Sequence, residues 1–421
     1  MKKSNQIMRI CVAVALAGAA ASSIAGGVAI GTQSGSGTGN AFAGGAAAAE
    51  DASTIWYNPA GMTALQGDKQ FAISGNVLVP SFKFSNTAST GAAYAAPGDG
   101  GDGGSLAVVP QGYFSMSLGA NWKAGVAFNV PFGLKTEYDA GWRGQLTALK
   151  SEVKTYNVNP SVAYKLRDTV SLGAGVSWQR LEAELTNFAG GAGVATLKAS
   201  DTGYGFNLGA LVNLTPGIRY GITYRSAIKY QLNGTITLSA LPAGNGGATA
   251  DLTVPENASL SVFGTVSPQW DLMADVTWTR WSRFQQLTVL RSTASALGAV
   301  GSRITALPFN WRDTWRYSIG ANYKPSPAWK FRFGLAYDQT PTNDVDRTAR
   351  LPDQDRTWVA FGAQYKVSKA GAIDVGYAHE FIKDATVNNP VPGFTTCAAG
   401  CLNGKFADKA DILSVQYSHT F

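Results

Sequence analysis

Residues 411–421 read DILSVQYSHTF, and their period of two decides the fold. Leu413, Val415, Tyr417 and Phe421 fall on one face, with Ser414, Gln416, Ser418 and Thr420 on the other, as successive side chains of a strand must. The pattern continues upstream. Ile373, Val375, Tyr377 and Phe381 oppose Asp374, Gly376, Ala378 and Glu380, and Trp315, Tyr317, Ile319, Ala321 and Tyr323 oppose Thr314, Arg316, Ser318, Gly320 and Asn322. Alternation sustained over this much chain predicts an all-β protein.

A soluble sandwich alternates too, so two further features separate the cases. Trp270 and Trp278 share an apolar face eight residues apart. At about 3.3 Å per residue and a tilt near 45°, their rings stand roughly 19 Å apart along the membrane normal, the spacing of two interfacial aromatic girdles. The connections also alternate in length. Short turns are expected at 119–123, 166–168, 214–217, 267–269, 324–328 and 368–371, and long polar or Gly-rich loops at 85–105, 187–200, 240–255, 291–310, 342–355 and 385–408. Short turns on one side and long loops on the other, with about 14 strands between them, predict a transmembrane antiparallel β-barrel of the outer-membrane kind. The terminal Phe421 suits such a chain.

Composition agrees. Charged residues make up 14% of the chain, hydrophobic ones 45%, and there are 11 Trp, 16 Tyr and 19 Phe. A soluble domain carries about 25% charged residues. Beyond the N-terminus no apolar run is long enough for a transmembrane helix, and a closed barrel reconciles low charge with interrupted apolarity.

Lys2, Lys3 and Arg9 precede an apolar stretch from Ile10 to Ala21, and Ser23-Ile24-Ala25 supplies small residues for a peptidase. Residues 1–25 therefore read as a signal peptide cleaved after Ala25. An N-terminal membrane anchor is the alternative, but Gly, Ala and Ser dominate. Removing those three cations takes the net charge from +7 to 7 − 3 = +4, too weak and scattered for nucleic acid. Cys11 leaves with the signal; Cys397 and Cys401, four residues apart in an exported chain, form either a small loop disulfide or two free thiols.

Residues 26–67 do not read as strand. Rich in Gly, Ala and Ser, with a short helix expected over 46–52, they are too small-residued to face lipid and fit inside the barrel. Here Gly37-Thr38-Gly39-Asn40-Ala41, Glu50-Asp51-Ala52-Ser53-Thr54 and Asn58-Pro59-Ala60 resemble the FadL-type long-chain fatty-acid transporter family. The resemblance continues through Asn129-Val130-Pro131-Phe132-Gly133-Leu134, Asn159-Pro160-Ser161-Val162-Ala163-Tyr164, Trp278-Thr279-Arg280-Trp281-Ser282, Tyr337-Asp338-Gln339-Thr340-Pro341 and Leu351-Pro352-Asp353-Gln354-Asp355-Arg356, covering the mature chain. It implies a 14-stranded barrel (68–421) closed by an N-terminal hatch (26–67). Ligand would be caught in the extracellular loops, held in an apolar pocket at the start of the hatch, and released sideways at an inward kink of the third strand.

Pro131 breaks an otherwise regular strand, and a proline in a sheet marks an edge, an end or a bulge. With Phe132 and Gly133 it is the candidate lateral opening, an ordinary rim bulge being the alternative. Asn58, Pro59 and Ala60 read as an anchor of the hatch, with Gly37, Gly39 and Asn40 as further hatch or gating residues. The glycines lack the preceding strand and following Lys of a nucleotide loop and are assigned flexibility near the pocket. Val28 and Ile30 are pocket candidates by family analogy. A carboxylate would need an inward cation, and alternation turns Arg219, Arg225, Arg316 and Arg332 to the lumen, where Asp338, Asp374 and Glu380 could balance them. Arg280 and Arg283 fall at the outer rim.

His379 and His419, the only histidines, fall on the outer face beside Tyr377 and Tyr417, so a serine hydrolase lacks its base. No His/Cys metal cluster occurs. The expectation is a non-enzymatic, cofactor-free, monomeric transporter of a hydrophobic small molecule, surrounded by outer-membrane lipid and lipopolysaccharide. The rivals are uptake of neutral aromatic hydrocarbons by the same fold, a non-specific porin, or a surface adhesin.

Overall fold

The computed structural model describes residues 26–421; the expected signal peptide, 1–25, lies outside them. Twenty strand segments form one antiparallel sheet. Fourteen of them close a ring: β1 Lys69–Asn86, β2 Ala107–Ser117, β3 Trp122–Asn129, β4 Lys150–Arg167, β5 Val170–Phe188, β6 Val194–Thr215, β7 Ile218–Arg225, β8 Asn257–Thr265, β9 Trp270–Thr279, β10 Thr314–Tyr323, β11 Trp329–Asp338, β12 Arg356–Lys366, β13 Gly371–Ile382 and β14 Cys401–Thr420. Each pairs with the next, and β14 returns to β1 from Gln70↔Thr420 to Asn86↔Gly404. The remaining six segments, Gly133–Glu137, Ile228–Leu238, Gly246–Val254, Gln286–Arg291, Arg303–Pro308 and Ala385–Pro390, lie in the connections opposite the short turns. The sheet thus closes on itself, the arrangement by which strands can span a bilayer.

The outward face is the apolar one. Leu172, Val176 and Trp178 on β5 and Tyr204, Phe206 and Leu208 on β6 are exposed, while Ser171, Gly175, Ser177 and Asn207 between them turn inward and are buried. Aromatic pairs mark the short-turn end: Trp122 with Tyr164, Trp270 with Tyr323 and Trp329 with Tyr365, centroids 4.6–4.8 Å apart. Trp278 opposes Trp315 at the other end. Among the described residues no helix is long and apolar enough to cross a membrane; the strands do it.

All six expected short turns join neighbouring wall strands. The long connections differ from expectation. Residues 194–200 are strand, paired with 182–188 on one side and, over 195–200, with 233–238 on the other. Residues 246–254 and 385–390 are strand too. Ladder hydrogen bonds do not stop at the membrane surface, and Gly-rich, Ala-rich sequence hid the continuation.

Residues 26–65 lie within the ring. They form three single-turn helices, Gly35–Thr38, Gly45–Ala48 and Thr54–Tyr57, and a 3-10 helix, Pro59–Ala64. The helix expected over 46–52 runs instead over Gly45–Ala48 and stops because Ala49 adopts a left-handed conformation (φ 45°, ψ 48°). The glycines serve close approach rather than flexibility. A Cβ on Gly39 would come within 2.8 Å of the Gly362 backbone, and on the wall side a Cβ on Gly221 or Gly334 would collide with the Ala46 carbonyl or the Asn40 backbone.

Candidate functional site

β3 leaves the wall at Asn129 and its line resumes at Gly133–Glu137. On the β4 side, Asn129 faces Asn157 and Gly133 faces Lys154, so Val130, Pro131 and Phe132 span what two residues of β4 span, a one-residue bulge. On the β2 side the ladder ends at Gly112↔Phe128, whereas β1–β2 pairing continues to Leu78↔Ala107. Residues 107–111 are therefore paired with β1 alone, and the wall is open beside them. Pro110 sits within this half-paired stretch, as a strand proline should.

The backbone groups of the kink still find partners. Ile30 N donates to Pro131 O and Gly133 N to Val28 O, both at 2.9 Å. Gln33 Nε2 donates to Val130 O at 2.9 Å. Thr155 Oγ1 accepts from Phe132 N at 2.9 Å and donates to Phe132 O at 2.7 Å. Across the opening, Gln111 Nε2 and Asn76 Nδ2 hold the Thr32 carbonyl at 2.8 and 3.2 Å, and Tyr113 donates to Gln33 O. The luminal segment thus runs past the opening, bonded to both its sides.

Beside the kink is a cavity of about 170 Å³. Ile30, Phe42, Trp56, Pro131, Phe132 and Trp281 give it an apolar wall; Arg225, Arg316, Asp275 and Asp338 are its charged groups. Phe132 meets Trp281 edge-on at 6.3 Å, and both belong to a larger apolar cluster with Leu181, Leu232, Val289 and Trp311. Val28 packs against that cluster without lining the cavity. Farther along, a cleft between the strand extensions is lined almost wholly by Leu185, Leu197, Leu232, Leu287, Val289 and alanines. Apolar surface is therefore continuous from the extensions to the kink.

All four sequence-selected arginines face the lumen, yet they are not equivalent. Arg332 is ion-paired to Glu50 (2.7 Å) and Asp374 (2.8 Å). Lys330 also reaches Glu50 at 3.0 Å. Burial would raise the Glu50 carboxyl, but Arg332 and Lys330 beside it hold it well below the usual carboxylate range. Arg332 instead borders a smaller cleft with Gly37 and Asn40. Arg219 lies over Phe263 and donates to Ala48 O at 2.6 Å, away from the main cavity. Arg316 donates to Ala41 O at 2.8 Å. Arg225, 9% exposed, lies 3.5 Å above the Trp56 ring and donates to Trp56 O and Ser177 Oγ, with no carboxylate within 4 Å among the described residues.

Asn58 packs against β6, three strands along the ring from β3. Its Nδ2 donates to Ala46 O (2.7 Å) and to Ala210 O of β6 (2.9 Å), and its Oδ1 accepts from Ala60 N (3.0 Å), capping the 3-10 helix behind Pro59. Asn40 reaches Ala321 O and Phe333 O. At the rim, Arg280 and Arg283 pair with Glu256. Cys397 and Cys401 are joined in a surface connection. His379 bonds to Asp411 on the outer face, and Tyr417 to His419. Sequence reading overlooked Gln33, Thr155 and Pro110, and quoted Trp281 only as part of a family motif; of the three overlooked, only Pro110, a proline inside a strand pattern, carried a signal.

A luminal segment stitched to a wall opening, beside an apolar cavity, is a specific arrangement. The family described as "Outer membrane protein transport protein (OMPP1/FadL/TodX)" matches residues 16–421. The chain belongs to that family. It is 30% identical over 435 residues to an outer-membrane protein of Neisseria meningitidis serogroup B, covering 89% of this chain and 91% of that one. With the long-chain fatty acid transport protein of Escherichia coli K12 it shares 27% identity over 398 residues, covering 83% and 86%. Among solved structures, a Pseudomonas aeruginosa FadL homologue superposes with a TM-score of 0.85 at 26% identity, over 94% of this chain and 100% of the homologue. The toluene transporter TodX of P. putida shares the fold at a TM-score of 0.66 and 17% identity, over 88% and 94%. This chain is accordingly an outer-membrane protein of the Gram-negative type, in a family that transports hydrophobic compounds.

Proposed function

We propose that the chain admits long-chain fatty acids across the outer membrane by passive diffusion, with residues 26–67 acting as a hatch. Ligand is collected on the apolar strand extensions, enters the cavity beside Phe132 and Trp281, and leaves sideways where β3 parts from β2. The observation that favours an acid over a neutral hydrocarbon is Arg225, a buried guanidinium in the cavity wall with no carboxylate partner. A carboxylate arriving there gains charge-assisted hydrogen bonds and relieves a buried unpaired charge. Arg316 is the second candidate contact, but its charge, unlike that of Arg225, already acts on both Asp275 and Asp338.

A compact aromatic hydrocarbon is the second reading, favoured by the modest cavity of about 170 Å³ and its ring-rich lining. Oleate and toluene binding by wild type and Arg225→Gln discriminate the two. Fatty-acid carriage requires oleate affinity to fall by roughly tenfold, about 1.4 kcal/mol, with toluene unaffected. Neutral aromatics co-purifying with no fatty acid, and an oleate affinity indifferent to Arg225, would sink the acid reading.

A further inference from the structure

We propose that the lumen contains a socket for a free α-ammonium at Gly26, generated when the Ala25–Gly26 peptide bond is hydrolysed during export, with Asp338 and Asp353 as its carboxylate partners. The inference rests on export, not on which ligand is carried. Gly26 N donates to Asp338 Oδ2 at 3.1 Å and Gly27 N to Asp353 Oδ2 at 2.8 Å, all in buried surroundings. Two successive amides therefore converge on two aspartates, one at the end of β11 and one in the connection to β12.

The charge balance asks for a cation there. Asp338, Asp353, Glu380 and Asp408 are all buried. Arg356 is shared between Asp353 and Glu380, and Arg347 is paired with Asp344. Arg316 borders the same cavity as Asp338 without reaching ion-pair distance. Among the described residues Asp338 forms no ion pair within 4 Å, and neither carboxylate oxygen of Asp408 has a hydrogen-bond partner. Buried carboxylates persist when paired and bonded. A peptide amide at Gly26 offers one hydrogen and no charge. Hydrolysis adds water across the Ala25 carbonyl–Gly26 nitrogen bond, leaving a carboxylate on Ala25 and, after protonation, an ammonium with three donors on Gly26.

The site is shaped for this terminus. A Cβ on Gly26 would lie 2.6 Å from the Gln339 carbonyl oxygen, and Gly27 turns the chain with φ +70°. Ser23-Ile24-Ala25 places the small residues of a cleavage site immediately before. Val28 and Ile30, which complete the kink, follow directly, so the ammonium would fix the free end of the segment that lies across the opening.

The test uses the protein purified from outer membranes. Intact mass should show a chain starting at Gly26. Brief acetylation with an active ester at neutral pH, read by peptide mass spectrometry, should label the Gly26 α-amine at least about tenfold more slowly than exposed Lys83 or Lys198 in the folded barrel, and comparably after denaturation. Asp338→Asn should release the amine to near-lysine rates. If that variant does not give the compact, heat-modifiable form, inserting one alanine before Gly26 while keeping the cleavage motif should displace the new terminus and have the same effect. A mature start elsewhere, or a Gly26 amine labelled as fast as Lys83 in the folded wild type, overturns the proposal.

Discussion

The amide of Ile30 donates to the carbonyl of Pro131 at 2.9 Å, inside the barrel and across about a hundred residues of chain. With the reciprocal bond from Gly133 N to Val28 O, it makes a short antiparallel pairing in which the luminal segment replaces β2 as the neighbour of the kinked strand. The opening and the segment beside it are therefore one structural unit. Moving residues 28–30 would strip the kink of two backbone partners, and straightening the kink would strip residues 28–30 of theirs.

We expect Pro131, which lacks an N–H, to keep β3 from rejoining β2. Valine there restores a donor and prefers extended backbone, so pairing can run on toward residues 107–111. Each recovered ladder bond is worth about 1 kcal/mol, and one or two shift the open–closed balance of the gap by roughly five- to thirtyfold. Fatty-acid uptake by Pro131→Val in cells lacking another transporter should fall accordingly while the barrel stays heat-modifiable. Undiminished uptake would take Pro131 out of the pathway.

Thr155 satisfies both backbone groups of Phe132 that the bulge pulls off the ladder. Thr155→Val keeps the shape and removes both bonds, leaving a buried N–H and C=O unpartnered at a cost of about 1–3 kcal/mol. The gel-shift melting midpoint should drop for Thr155→Val and recover in Thr155→Ser. Equal midpoints in all three would mean the kink holds itself by other contacts.

The wall was legible because every strand repeats the same physical constraint. Leu413, Val415 and Tyr417 must face lipid, and a one-residue slip would turn them inward. The closed ring and its 14 strands follow from many such segments together. Pro131 was legible too, since proline announces a missing donor. What was not legible is whatever depends on distant chain meeting distant chain. Nothing local marks Thr155 as the partner of Phe132, or Gln33 as the partner of Val130. Alternation turned four arginines inward, but only the ion pairs of Arg332 and the unpaired state of Arg225 tell them apart. Gly37 and Gly39 were assigned flexibility because sequence shows a glycine's freedom and hides what presses against it, Phe42 at Gly37 and the Gly362 backbone at Gly39.

Arg332 ties the luminal segment to the wall through Glu50 and Asp374. Arg332→Met takes a cation from half-buried Glu50 and, among the described residues, the only one from buried Asp374, and breaking a buried pair typically costs about 3–5 kcal/mol. The lower end is expected, since Lys330 still reaches Glu50 and Gln364 still donates to Asp374. Adding Asp374→Asn removes the stranded charge and should restore part of the melting midpoint. A double variant as unstable as the single one would place the loss in side-chain packing instead.

Asn58 offers a sharper discrimination, because its two ends do different work. Nδ2 donates to two carbonyls, one on the luminal segment and one on β6, while Oδ1 accepts a single amide. Alanine removes all three bonds, leaving buried backbone groups unpartnered at about 1–3 kcal/mol each where water cannot enter. Aspartate keeps the accepting end yet sets a buried charge against the Ala46 and Ala210 carbonyls, so Asn58→Asp should be worse than Asn58→Ala despite retaining one more bond. If this residue pins the luminal segment, both variants should carry larger and noisier ion currents in planar bilayers, in the order Asp above Ala above wild type. Wild-type currents in both, alongside a lowered melting midpoint, would assign Asn58 to stability alone and leave closure of the lumen to Arg332 and its neighbours.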